Sequence, residues 1–201
     1  MLTSISPLGE RARHNRWSVT AGAYAAGSVV AAGAVGGVLG GAGSLLPLAG
    51  ATRAAVVALV AIAALVVDGG LLPLPTVRRQ VNEDWLNRYR GWVYGAGFGA
   101  QLGVGVATIV TSATVYVALA AEAMVGSAVA GAAVGATFGL VRAAPLLAVR
   151  RTASYSQLVD QHRHLVALAP AGRRVTLAAT VVGAAILSTA VVVAFTVGSP
   201  P

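Results

Sequence analysis

Cysteine is absent from this chain of 201 residues, and so is lysine. Without a thiol there are no disulfides, no thiolate metal sites, no iron–sulfur ligation and no thiol-based reaction. The absence of lysine beside fourteen arginines points to a GC-rich coding sequence and a bacterial source. Charge of either sign is scarce. Only 10% of the residues are charged, against about 25% in a soluble domain, too few to cover a water-facing surface. The six acids are scattered along the chain, so no carboxylate pair is set for acid–base work. No phosphate-binding loop and no nucleophile beside a base is found, and an enzyme, a cofactor or a metal is not expected.

What is present is apolar: 57% of the residues are hydrophobic and 25 are glycine. Long apolar blocks recur, each near the roughly 20 residues that a membrane helix needs. The fold class is therefore an all-α polytopic helix bundle in the lipid bilayer. A cytoplasmic segment, 1–16, precedes one transmembrane domain, 17–198. Five spans are predicted, at about 17–43, 51–72, 92–119, 123–149 and 175–197. Gly43-Ser44 and Pro47 mark the first turn, and Asp68-Gly-Gly with Pro73 and Pro75 ends the second span. The first span is too long for the core of a cleaved signal and is expected to be a retained anchor.

The arginines orient these spans. Arg11, Arg13 and Arg16 precede the first; Arg78, Arg79, Arg88 and Arg90 lie between the second and third. Arg142, Arg150, Arg151, Arg163, Arg173 and Arg174 lie between the fourth and fifth or at their edges. With five spans, thirteen arginines share one side and Arg53 stands alone on the other. The positive-inside rule then puts the N-terminus in the cytoplasm and the C-terminus outside a cell (inner) membrane. Clusters set between apolar blocks report topology, whereas a nucleic-acid partner needs one contiguous basic face. No nucleic-acid partner is expected.

Two of the basic loops carry helical periodicity. Val81, Trp85, Tyr89 and Trp92 share one face, as do Leu158, His162, Leu165 and Leu168. Short cytoplasmic interfacial helices are predicted for both. His162, His164 and Asp160 are two residues apart, so they point to different helix faces and do not converge on a metal.

Small residues at four-residue spacing let helix backbones approach closely in lipid. Three rows have that spacing: Gly33-Gly37-Gly41, Gly95-Gly99-Gly103 and Gly131-Gly135-Gly139. The third and fourth spans are expected to meet through Gly99, Gly103, Gly131 and Gly135. An internal echo accompanies them. "YAAGSVVAAG" at 24–33 and "YGAGFGAQLG" at 94–103 share Tyr, Ala, Gly and Gly at an offset of 70, a pattern known from transporter repeats.

The block "AGAYAAGSVVAAGAVGGVLGGAGSLL", with the helix ending "DGGLLPLP", resembles spans two and three of the CcdA/DsbD transmembrane family. "GWVYGAGFGAQLGVGVATIVTSA" and "GSAVAGAAVGATFGLVRAAPLL" resemble its spans four and five. The resemblance covers about residues 18 to 197 and lacks the family's first span. It implies a cytochrome c biogenesis or thiol–disulfide interchange scaffold with an inside N-terminus and an outside C-terminus. The family passes reducing equivalents through cysteines in its first and fourth spans. Here the matching part of the third helix, Thr108 to Ser112, holds no cysteine. Thiol exchange needs a thiolate, so that activity does not carry over.

Polar groups inside a bilayer are costly and mark candidate sites. Gln101, Gly105, Thr108 and Ser112 fall on one stripe if the third span is one helix. They form either a substrate path or a set of helix–helix hydrogen bonds. Arg142 lies seven residues before Val149, and Asp68 is its expected counter-charge at similar depth; the other reading is that Arg142 snorkels to the headgroups. Two functions follow. One is a transporter-like bundle moving a small molecule or ion, with Gln101, Thr108, Ser112, Arg142 and Asp68 on its path. The other is a non-transporting subunit or assembly factor that packs against a membrane-protein partner or a second copy of itself.

The arginine distribution makes a direct prediction. Reporter fusions after Pro201 should behave as exported, and fusions at Gln80 and Gln161 as cytoplasmic. A cytoplasmic signal from the C-terminal fusion would refute five spans.

Overall fold

A computed structural model describes residues 5–76, 84–150, 152 and 154–197, and every regular element among them is helical. The order is α1 (Pro7–Ala12), α2 (Trp17–Ser44), α3 (Gly50–Asp68), α4 (Trp85–Arg88), α5 (Gly91–Gly103), α6 (Thr114–Met124), α7 (Ala128–Ala143) and α8 (Tyr155–Val197). A 3-10 stretch, Ala144–Val149, extends α7. Four helices are long and apolar enough to cross a membrane: α2, α3, α7 with its extension, and α8.

The third predicted span is not one helix. It is broken into α5, of 13 residues, and α6, of 11. At 1.5 Å per residue these reach about 20 and 16 Å, each short of the roughly 30 Å hydrocarbon core. Gly105 supplies the break. Its φ is +85°, the left-handed conformation that closes a helix after its last turn. The Val104 N–H donates to the Ala100 carbonyl and the Gly105 N–H to that of Leu102, both at 3.0 Å. The β-branched run Thr108-Ile109-Val110-Thr111 then disfavours re-entry into a helix. In the same way, α3 stops at Asp68 before Gly70, whose φ is +89°.

The interfacial helices also differ from expectation. Among the described residues around Trp85 the single turn α4 forms, and Tyr89 turns extended before α5 begins; Val81 lies outside the described residues. Trp85 stacks on Phe98 at a centroid distance of 6.1 Å, while Trp92 is exposed. The predicted helix at 154–170 is no separate element. It is the start of α8, which runs for 43 residues through Pro170 and the predicted fifth span. A proline removes one backbone hydrogen bond, and here the helix tolerates that loss.

The chain divides into two compact units. The first comprises Met1–Ala34, Val77–Ile109 and Ala136–Pro170, the second Val35–Thr76, Val110–Gly135 and Ala171–Pro201. In the first unit, Ile5, Tyr24, Leu86, Tyr94, Phe98, Leu146 and Val149 form the core. The glycine row of α5 lies on α2: Gly95 meets Thr20, Gly99 the Tyr24 carbonyl, and Gly103 Ser28. The two echoing segments therefore pack on each other. Gly139 of α7 also meets Ser28, whose hydroxyl donates to the Gly139 carbonyl at 2.8 Å.

In the second unit α6 packs on α3. The start of α7 lies on α2, where Gly131 meets the Gly36 carbonyl and Gly40, and Gly36 lies near Gly135. Within its own unit each row thus faces α2, at Thr20, Tyr24 and Ser28 in the first and at Gly36 and Gly40 in the second. In this unit the glycines of α2 with no room for a side chain are Gly36, Gly40 and Gly43, whereas Gly37 and Gly41 of the predicted row have that room. A Cβ added at Gly37 or Gly41 would meet only ordinary van der Waals contact with Ala132 or Ala128.

A side chain on Gly131 would collide with the Gly36 backbone. Gly131→Leu should cost about 1–3 kcal/mol or more and lower the Tm of the detergent-solubilised protein by roughly 5 °C. Val129→Leu, at a position 82% exposed, should leave it unchanged. Equal effects would mean that the glycines are only compositional.

Candidate functional site

The polar residues singled out by sequence gather at the two ends opened by the broken helix. In the first unit α5 ends at Gly103, and its C-terminal carbonyls lack partners in the next helical turn. Arg142, from the last turn of α7, donates from Nη1 to the Gly105 carbonyl at 3.2 Å. Its guanidinium carbon also lies 5.3 Å from the centre of the Phe138 ring. A cation at a helix C-terminus and over an aromatic face is favourable on both counts. Thr108 is buried in the unwound stretch, and Gln101 is half-buried in the last turn of α5.

In the second unit α6 opens with unpaired backbone donors. Asp68, the last residue of α3, meets them. Its Oδ1 accepts from the Ala113 N–H at 2.8 Å and its Oδ2 from the Ser112 hydroxyl at 2.7 Å. The Ser112 hydroxyl lies 2.7 Å from that of Thr114 and also accepts from the Thr114 N–H. An acid at a helix N-terminus is the favourable sign for the helix dipole. Upstream, the Val110 N–H donates to Thr76 Oγ1 at 2.8 Å, and the Tyr116 hydroxyl donates to the Pro75 carbonyl. Arg173 of α8 donates twice to the Asp68 carbonyl, at the C-terminal end of α3.

In its own unit each charge has a backbone partner: Arg142 the Gly105 carbonyl just past α5, and Asp68 the Ala113 N–H at the start of α6. Gln101, Gly105, Thr108 and Ser112 do not share a helix face, since the helix stops at Gly103. Among the path candidates of the second unit, Ser112 donates its hydroxyl hydrogen to Asp68.

Two apolar grooves are open in the units. One, of about 530 Å³, is lined by Trp17, Ala21, Leu140, Ala143 and Leu146 in the first unit. The other, of about 490 Å³, is lined by Ala61, Val117, Ala121, Val175 and Ala179 in the second. Neither groove is lined by Gln101, Thr108, Ser112, Arg142 or Asp68.

Residues that sequence inspection passed over carry comparable structural weight. Arg53 donates to four carbonyls, those of Leu48, Met124, Gly43 and Leu46, at 2.8–3.2 Å. Glu10 is fully buried although it sits in a basic segment. Its carboxylate accepts from the Tyr94 hydroxyl at 2.5 Å, from Thr20 at 2.7 Å and from Arg13 at 3.0 Å. Asn15 completes this network by donating to the Tyr94 oxygen at 3.2 Å. The signal was legible in part: Ser6-Pro7 is a helix start, with the Ser6 hydroxyl accepting from the Gly9 N–H. It places Glu10 in the first turns of a helix, not in a loose tail.

Apolar helices of membrane-crossing length, with half-buried charges turned onto backbone groups near helix ends, define a polytopic helical membrane protein. Over 138 residues the chain is 33% identical to the methylamine utilization protein MauF of Methylophilus methylotrophus, covering 65% of this chain and 47% of that protein. The MauF protein of Paracoccus denitrificans is 32% identical over 134 residues, 65% of this chain and 48% of that one. The chain spans about half the length of these curated relatives. No family model and no solved structure matches it.

Separate partners for the two charges make a prediction about coupling. Asp68→Asn and Arg142→Met should each destabilise the protein, and the double variant should lose the sum to within about 0.5 kcal/mol. Recovery of part of the loss in the double variant, read by thermal melts in detergent, would restore the direct ion pair.

Proposed function

We propose that this protein is a non-transporting membrane subunit or assembly factor of a methylamine-utilisation system. The observation that carries this reading is the use made of the polar residues within the helices. Asp68, Ser112 and Arg142 are bonded to helix ends, and such groups hold a scaffold together. The similarity to two proteins named for methylamine utilization supports the biological setting. The role proposed is not enzymatic. It is exercised through contact with a membrane partner, or with a second copy of this chain, in an inner membrane. The arginine distribution supports five crossings with the N-terminus in the cytoplasm.

On kinship, we propose a CcdA/DsbD-like scaffold without its thiol chemistry. The unwound stretch between α5 and α6 supports this, because it contains Thr108 to Ser112, the place matched to the family's fourth-span cysteine.

The test is genetic and biochemical. Deleting the gene should abolish growth on methylamine as sole nitrogen source, while uptake of radiolabelled methylamine persists. Loss of uptake, or accumulation of methylamine by proteoliposomes holding the purified protein alone, would reverse the reading in favour of transport. Undisturbed growth would detach the protein from amine utilisation.

A further inference from the structure

We infer that Glu122 is a proton-binding site, its buried carboxyl holding an exchangeable proton against the apolar face of α3. Glu122 lies in the last turn of α6 and is 1% exposed. Its Oε2 atom has no hydrogen-bond partner among the described residues. The helix it rides on packs against α3, whose buried residues are Val57, Ala58, Ala61 and Ala64. Behind the next residue, Gly43 of α2 is pressed against the Ala123 carbonyl.

The other charged or titratable groups of this unit are Arg53, Asp68, Tyr116, Arg173 and Arg174. Arg53 is the cation of α3, and its nitrogens are directed to the carbonyls of Leu48, Met124, Gly43 and Leu46. Asp68 is bound at the opposite end of α6, about 14 Å away along the helix rise. Tyr116 donates to Pro75, Arg173 donates to the Asp68 carbonyl, and Arg174 is exposed. The parts of α2 and α7 in this unit, 35–44 and 128–135, contribute no titratable side chain.

Glu122 thus differs from Asp68 and Glu10, the buried or half-buried acids whose oxygens accept donated hydrogens. An ionised carboxylate with an orphan oxygen in an apolar site is far costlier than the neutral acid. The group therefore keeps its proton. Losing that proton would bury a bare charge against α3, so proton occupancy and the packing of α6 are linked. This inference does not depend on the amine-utilisation reading, and its test involves no amine.

The experiment is infrared difference spectroscopy on the full-length protein in detergent and in liposomes at pH 7. The wild type should show the carbonyl stretch of a protonated carboxyl, and Glu122→Gln should lack it while keeping the same Tm. Should that variant fail to fold, carbon-13 glutamate makes the assignment without substitution, since the chain holds three glutamates. Dicyclohexylcarbodiimide locates the site, because it reacts with the protonated acid as the carboxyl proton passes to a reagent nitrogen. Peptide mass spectrometry should find the adduct on Glu122, and a water-soluble carbodiimide should favour the exposed Asp160. A protonated-carboxyl band that is absent, or that persists unchanged in Glu122→Gln and does not shift with labelled glutamate, would overturn the inference.

Discussion

A helix that ends within an apolar medium leaves carbonyls or N–H groups without water to meet them, each costing several kcal/mol if unpaired. This protein meets that constraint with charged side chains placed by sign. Arg142 takes a carbonyl just past the end of α5, Arg173 the end of α3, and Arg53 the carbonyls around the ends of α2 and α6. Asp68 takes the N–H end of α6. In each case one interaction satisfies a backbone group and sets a charge of the favourable sign near a helix end. Without it the break between α5 and α6 would be too expensive to keep.

Close backbone approach is the second constraint, and α2 is where it is concentrated. In the first unit its Thr20, Tyr24 and Ser28 receive the glycines of α5, and Ser28 also receives Gly139. In the second its Gly36 and Gly40 receive Gly131 and Ser127. Lipid offers no hydrophobic drive between helices, so packing and hydrogen bonds such as Ser28 to Gly139 supply the association. The apolar residues that remain exposed on α2 and α8, among them Val30, Val38, Val182 and Ile186, suit contact with lipid.

These features bear on function through what they leave over. A side chain that closes a helix end is committed to the fold, and that is the position of most polar candidates here. Glu122 is the exception, an acid whose second oxygen is tied to nothing described. The relatives named for methylamine utilization are about twice the length of the matched region.

Composition alone pointed to the setting, because with 10% charged and 57% hydrophobic residues there is too little charge to cover a water-facing surface. Periodicity and turn residues located α2 and α3 to within a few residues, since Gly, Pro and apolar run length act locally. The break at Gly105 was written in the chain as Gly-Val-Gly followed by four β-branched residues. Hydropathy could not reveal it, because an unwound apolar stretch and an apolar helix have the same composition. Which helix each glycine row meets, and which partner each charge takes, was decided only by tertiary structure. Spacing defines a face but not its neighbour: that Arg142 reaches the Gly105 carbonyl and the Phe138 ring is a matter of tertiary contact. Likewise nothing in the basic N-terminal segment announces that Glu10 reaches Tyr94, 84 residues away, because that contact exists only when α1 and α5 fold against α2.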